Sequence, residues 1–208
     1  MYNRAFFYPT VEARWFQQGT IPATVLAWFQ RGRMEPRPEP SRVDHYLRQT
    51  GGGSMGIKLR EGRLEIKERV AQYGETQLSA RAAGFVEAWD KWSFPLSSTL
   101  DDPQLASSWI EVRKTRQVYT LQISEGAASP LDEFMFLTAG CNLELAQIEV
   151  RGEAWWSLGL EAFGEASGNL RRFTIVANYA FTRGESPILE TGFSCGYPAW
   201  LERLSKPD

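Results

Sequence analysis

The chain has 208 residues, 43% of them hydrophobic and 23% charged, with 23 Lys and Arg against 25 Asp and Glu, a formal net charge of -2. That is the size and composition of one globular domain, residues 1–208, with a real core. The near-neutral balance argues against nucleic-acid binding, which favours a basic domain, and no run of about 18 apolar residues offers a membrane span. The opening MYNRAFFYPTVEARW has no apolar signal region or cleavage site, and Cys141 and Cys195 are too few for a disulfide framework. These features predict a cytoplasmic protein with no nucleic-acid or membrane partner.

In chain order, Val11 to Gln17 reads as a strand. A short amphipathic helix follows, with Thr20 as its cap, Pro22 in the first turn, Val25, Leu26, Trp28 and Phe29 on the apolar face, and Gly32 as its end. Met34 to Pro40 reads as a proline-rich loop and Arg42 to Leu47 as a strand. Gly51 to Ser54 is a glycine linker that leads into a strand, unlike a phosphate-cradling loop.

Met55 to Val70 is the most informative stretch. Ile57 and Leu59 alternate with Lys58 and Arg60; after Glu61-Gly62, Leu64 and Ile66 alternate with Arg63, Glu65, Lys67 and Arg69. Two period-2 runs split by two residues predict a β-hairpin with Arg60 opposite Arg63 and Lys58 opposite Glu65. Its second face carries five cations and one anion. Like charges directly opposite destabilise a sheet pair, so these residues lie in water or face an anion.

Further strands are predicted at Phe85 to Phe94, Trp109 to Lys114 and Val118 to Ile123. A short helix is predicted from Ser129-Pro130 through LDEFMFLTAG. Strands follow at Leu143 to Val150, Trp155 to Phe163 and Arg172 to Phe181, and Pro198 to Leu201 reads as a final helical turn. The helices do not alternate regularly with the strands, which argues against a parallel sheet. The expected fold is α+β: an antiparallel closed β-barrel of about eight strands with a few short helices, since closure removes exposed edges. If the charged hairpin face points inward, the barrel encloses a cationic cavity; if outward, the interior is apolar.

Several strands carry acids and bases at period two: Glu12 and Arg14; Lys58 and Arg60; Glu65, Lys67 and Arg69; Lys114 and Arg116, which share their parity with Ile110 and Val112 unless a bulge intervenes. Glu144 and Glu149 lie in ELAQIEV, and Glu161 in the next strand. Such a set would offer cations for phosphate oxygens and carboxylates for a hard divalent metal. Other chemistries are poorly supported. Gly192-Phe193-Ser194-Cys195-Gly196 matches a nucleophile-elbow pattern, but the only histidine, His45, lies upstream. One histidine and two distant cysteines are too few for zinc. Trp155 and Trp156 are adjacent, so at most one of them can enter a barrel.

The order TVEARW, GIKLR, LEIK, RKTRQVY, LELAQIEV and SCGYPAWL, from about Val11 to Leu201, resembles the CYTH-like, or triphosphate tunnel, superfamily. The resemblance implies an eight-stranded tunnel that binds or hydrolyses a small phosphorylated ligand (a triphosphate, nucleotide or thiamine triphosphate) with Mg²⁺ or Mn²⁺. It assigns Arg14, Lys58, Arg60, Arg63, Lys67, Lys114 and Arg116 to phosphate, and Glu12, Glu144, Glu149 and Glu161 to metal. A family-like ExExK would place glutamates at positions 10 and 12 and lysine at 14, where this chain has Thr10, Glu12 and Arg14. One expected metal ligand is therefore missing. A non-catalytic binding or interaction module on such a barrel is the alternative. An apolar-ligand carrier is a third reading, which needs the basic hairpin face outside.

Overall fold

A computed structural model describes residues 5–31, 36–49, 51, 53–96, 107–131, 137–182 and 184–205. Its strands are β1 (Phe6–Gln18), β2 (Arg37–Leu47), β3 (Met55–Arg60), β4 (Arg63–Ser79), β5 (Ala82–Pro95), β6 (Trp109–Ser124), β7 (Ala127–Pro130), β8 (Gly140–Val150) and β9 (Glu153–Phe163). Helix α1 is Ala23–Phe29, α2 is Ala166–Phe181 and α3 is Tyr197–Ser205. The antiparallel sheet runs β2-β3-β4-β5-β1-β9-β8-β6 and closes by pairing β6 with β2. Strand β7 adds to the end of β6. Among the described residues the fold is thus an eight-stranded closed antiparallel barrel with one extra strand and three short helices.

The β3–β4 hairpin has the predicted register, with Arg60 opposite Arg63, Lys58 opposite Glu65 and Ile57 opposite Ile66. Its turn residues Glu61 (φ 48°) and Gly62 (φ 72°) are both left-handed. That is the primed turn whose twist matches the flanking strands. Arg151-Gly152 builds the same turn between β8 and β9.

Four elements differ from the sequence reading. Arg172 to Phe181 is helical, as part of α2. Its buried residues Asn169, Phe173, Val176, Ala177, Ala180 and Phe181 follow the helical repeat, which the β-branched run Thr174-Ile175-Val176 had masked. The two strands predicted between Trp109 and Ile123 are one, β6, in unbroken register with β8 from Val112 to Leu121. Residues 37–40 belong to β2, where Pro38 and Pro40 are tolerated because β2 pairs there with β6 alone. Ala127–Pro130 is strand β7, not a helix start; positions 132–136 of that proposed helix, and the Gly32 end of α1, lie outside the described residues. The N-cap of α1 is Pro22 rather than Thr20, with no side-chain cap. No helix among the described residues is long and apolar enough to cross a membrane.

The sheet is buried on both faces along β1. Its outward residues Val11, Ala13 and Trp15 pack beneath α1 and α2 with Leu158, Leu160, Trp28 and Phe181. Trp28 stacks on Phe181 with ring centroids 5.9 Å apart. The inward residues divide along the barrel axis. At one end Phe16, Tyr46, Ile110, Val112, Ile148 and Val150 pack against Trp200 and Leu201 of α3, and Trp200 stacks on Phe16 at 4.4 Å. Helix α3 thus plugs that end. This explains why β6 carries Ile110 and Val112 on the same face as Lys114 and Arg116 with no bulge between them: the strand passes from the plug into the charged chamber.

Candidate functional site

Above the plug lies a cavity of about 100 Å³, enough for several water molecules. Among the described residues, eight cations line it: Arg14, Arg42, Lys58, Arg60, Lys67, Lys91, Lys114 and Arg116. Glu12, Glu65, Glu144 and Glu161 are the carboxylates of the lining, and Asp44 sits behind it with no exposed surface. The chamber therefore carries a surplus of positive charge. The side chains of Lys67, Arg116 and Arg60 keep 23%, 19% and 17% of their surface exposed, so the chamber opens to solvent.

The charges form three clusters. In the first, Asp44 is the hub: Lys114 Nζ lies 3.0 Å from it, Arg42 Nε 3.4 Å, Lys58 Nζ 3.6 Å and Arg60 Nε 3.8 Å. Burial would raise the Asp44 carboxyl, but these four cations hold it far below the ordinary range. Glu65 joins this cluster through Lys58 Nζ at 3.0 Å; burial opposes its ionisation, yet Lys58, Lys91 and Arg60 hold it at about 2. The lysines respond in the opposite sense. Burial lowers Lys58 to about 7 despite Asp44 and Glu65, and lowers Lys114 to about 8 despite its hydrogen bond to Asp44. Lys114 also donates to Tyr46 Oη at 2.8 Å and lies 3.8 Å from the Tyr197 ring centroid.

In the second cluster, Glu144 accepts from Arg14 Nη1 at 2.7 Å and from Arg116 Nη1 at 2.5 Å. Burial works against its charge, and the two guanidiniums hold its carboxyl well below the usual range. Arg14 fits because Gly159 faces it across β1–β9. A Cβ at Gly159 would come within 2.6 Å of the Arg14 guanidinium carbon. Gly159→Val is expected to cost about 1–3 kcal/mol by driving Arg14 off Glu144. Denaturant midpoints measure this, and an unchanged midpoint would mean that Arg14 does not rest there.

The third cluster is acidic. Glu12 is in register with Glu161 on one side and Glu87 on the other. Lys67 Nζ lies 2.6 Å from Glu12 Oε2, and Arg69 Nη1 2.6 Å from Glu87 Oε1.

Six of the seven predicted phosphate ligands, Arg14, Lys58, Arg60, Lys67, Lys114 and Arg116, meet in this chamber. Arg63 shares their face but does not line the cavity; its Nε donates to Ser93 Oγ at 2.7 Å and its guanidinium lies over the Phe6 ring. Of the predicted metal ligands, Glu12, Glu144 and Glu161 line the cavity. Glu149 is exposed on the outer wall, because it lies five positions, an odd number, from Glu144 and a strand has period two. The donor set does not fit a divalent metal: among the described residues no three His, Cys, Asp or Glu side chains gather at metal-binding spacing, and Glu12 and Glu144 are already ion-paired.

Arg42, Asp44, Glu87 and Lys91 were not among the predicted residues. The signal for two of them was legible, since Glu87, Trp89, Lys91 and Ser93 alternate within β5. Asp44 was obscured because VDHYL offers polar residues to both faces. The elbow-like Ser194 is structural: it is fully buried and its Oγ accepts from Phe85 N at 2.9 Å. Trp155 packs against the plug, while Trp156 is buried under the helices. The thiols are buried, which pushes Cys195 up to about 11 and Cys141 higher still. The sequence matches no protein-family model, and no curated protein matches it at a significant level.

Proposed function

We propose that this barrel binds a small phosphorylated anion in its interior. The observation that supports this most is the charge balance of the cavity, in which eight lining cations face four lining carboxylates and the buried Asp44. Arg60 and Arg42 are held only loosely, with their carboxylate contacts at 3.4–3.8 Å. Lys91 lies over the Tyr8 ring and makes no salt bridge to a described carboxylate. These three can turn to a ligand at little cost, and two planar guanidiniums suit the oxygens of a phosphate. The firmly paired Arg14, Lys114 and Arg116 would instead set the field around it. An apolar-ligand carrier is disfavoured because the hairpin's charged face lines the chamber.

The closed barrel with inward Lys and Arg is the architecture that the CYTH-like resemblance implies, and the chain reads as a divergent member of that superfamily. Thr10 in place of a glutamate and the ion-paired state of Glu12 and Glu144 favour binding over metal-dependent hydrolysis. The test is thermal unfolding with inorganic triphosphate, ATP and thiamine phosphates, with released phosphate read in the same wells. A ligand at about 100 times its Kd adds about 2.7 kcal/mol, roughly 5–11 °C for a domain of this size. A shift without phosphate release is the expected result; a shift with release would make the barrel an enzyme, and no shift with any ligand would remove the proposal.

A further inference from the structure

Glu12 stands at the centre of an acidic row, with Glu161 and Glu87 as its direct cross-strand partners. Cβ atoms so placed lie about 4.5–5.5 Å apart, and like charges there repel. Such a row needs a cation, and the sheet supplies one. Lys67, from β4, places its ammonium 2.6 Å from Glu12, and it is the leading favourable charge acting on Glu161. Its position is fixed on another side by the Trp89 ring, 5.2 Å from the ammonium. Arg69 closes the row at Glu87.

We infer that Lys67 is the resident cation of this wall, and that the barrel takes its anion without a divalent metal. A hard divalent ion would need six or more oxygens, and it would have to expel the ammonium to reach Glu12. Lys67 has three N–H donors. One meets Glu12, and the side chain lines the cavity, so another can meet a ligand oxygen. The ammonium of Lys67 thus offsets the charge of Glu12 and can also touch the anion, the two tasks a metal would perform. The second half of this inference rests on the anion-binding proposal above.

The test separates the two. Mn²⁺ is titrated into the ligand-free protein and free Mn²⁺ is read by electron paramagnetic resonance, with no anion present. The native protein and Lys67→Arg are expected to take up no Mn²⁺, and Lys67→Ala and Lys67→Met, which leave Glu12 without its ammonium, are expected to lower the Tm more at pH 7 than at pH 4, with Lys67→Arg restoring it. Stoichiometric uptake by the native protein, or a native Tm at pH 7 in Lys67→Ala and Lys67→Met, would overturn the resident-cation role. Inorganic triphosphate is then titrated with EDTA and with Mn²⁺. Equal affinity within about twofold supports metal-free binding; a gain of tenfold or more with Mn²⁺ overturns it. Failure to bind triphosphate in either buffer would count against the anion-binding proposal, while the Mn²⁺ titration and the Tm values still decide the role of Lys67.

Discussion

Asp44→Asn is expected to destabilise the barrel by about 3–5 kcal/mol, the cost of removing one partner from a buried ionic cluster. For a domain of this size that is a fall of roughly 6–20 °C in Tm. The amide keeps the shape and removes the one charge that faces Arg42, Lys58, Arg60 and Lys114 together. The loss should depend on pH. Burial already brings Lys58 to about 7 and Lys114 to about 8, so raising the pH discharges both lysines and relieves the repulsion. The difference in Tm between native and variant should therefore be largest near pH 6 and shrink towards pH 9. Adding Lys114→Met to Asp44→Asn should restore part of the loss, because the two sites share one cluster. An unchanged Tm in Asp44→Asn at pH 6 would mean that the cluster does not form.

Anion affinity is expected to fall steeply from about pH 6.5 to about pH 9, by roughly tenfold for each of the two lysines. The folded-state pKa of each lies below the ordinary lysine value, so each loses its charge within this window and not above pH 10. A bound anion favours the charged lysine, so binding takes up protons and weakens as the pH rises through about 7 and then about 8. Sulfate is the suitable probe, since its own charge is constant over the range. Lys58→Met should abolish the lower step and leave the upper one. A flat affinity across the window would show that neither lysine sits near the bound anion.

Most of the barrel was legible because its signal is local. The alternation in Ile57 to Arg69, with Glu61-Gly62 between its halves, determines the hairpin, its register and which residues share a face, but not which face points inward. The elements misread were those whose pattern changes meaning along the chain. Ile110 and Val112 share a face with Lys114 and Arg116 because one strand crosses from an apolar plug to a charged chamber, and no window on the sequence reveals where that boundary falls. Helix α2 was hidden by its β-branched centre, although Asn169, Phe173, Val176 and Ala180 keep the helical repeat. Within the site, parity alone places Glu149 outside, since it lies an odd number of residues from Glu144. Asp44 was legible only from the assembled barrel, where four cations from β2, β3 and β6 converge on it.

The most direct measurement of the central claim is a calorimetric titration of inorganic triphosphate into the native protein and into Arg60→Glu at pH 6.5 and low ionic strength. Saturable binding at one site per chain, weakened by a hundredfold or more in folded Arg60→Glu, is the result the cationic chamber predicts. Absence of binding to the native protein, or equal binding by both, would contradict it and leave the inward charges as a structural network alone.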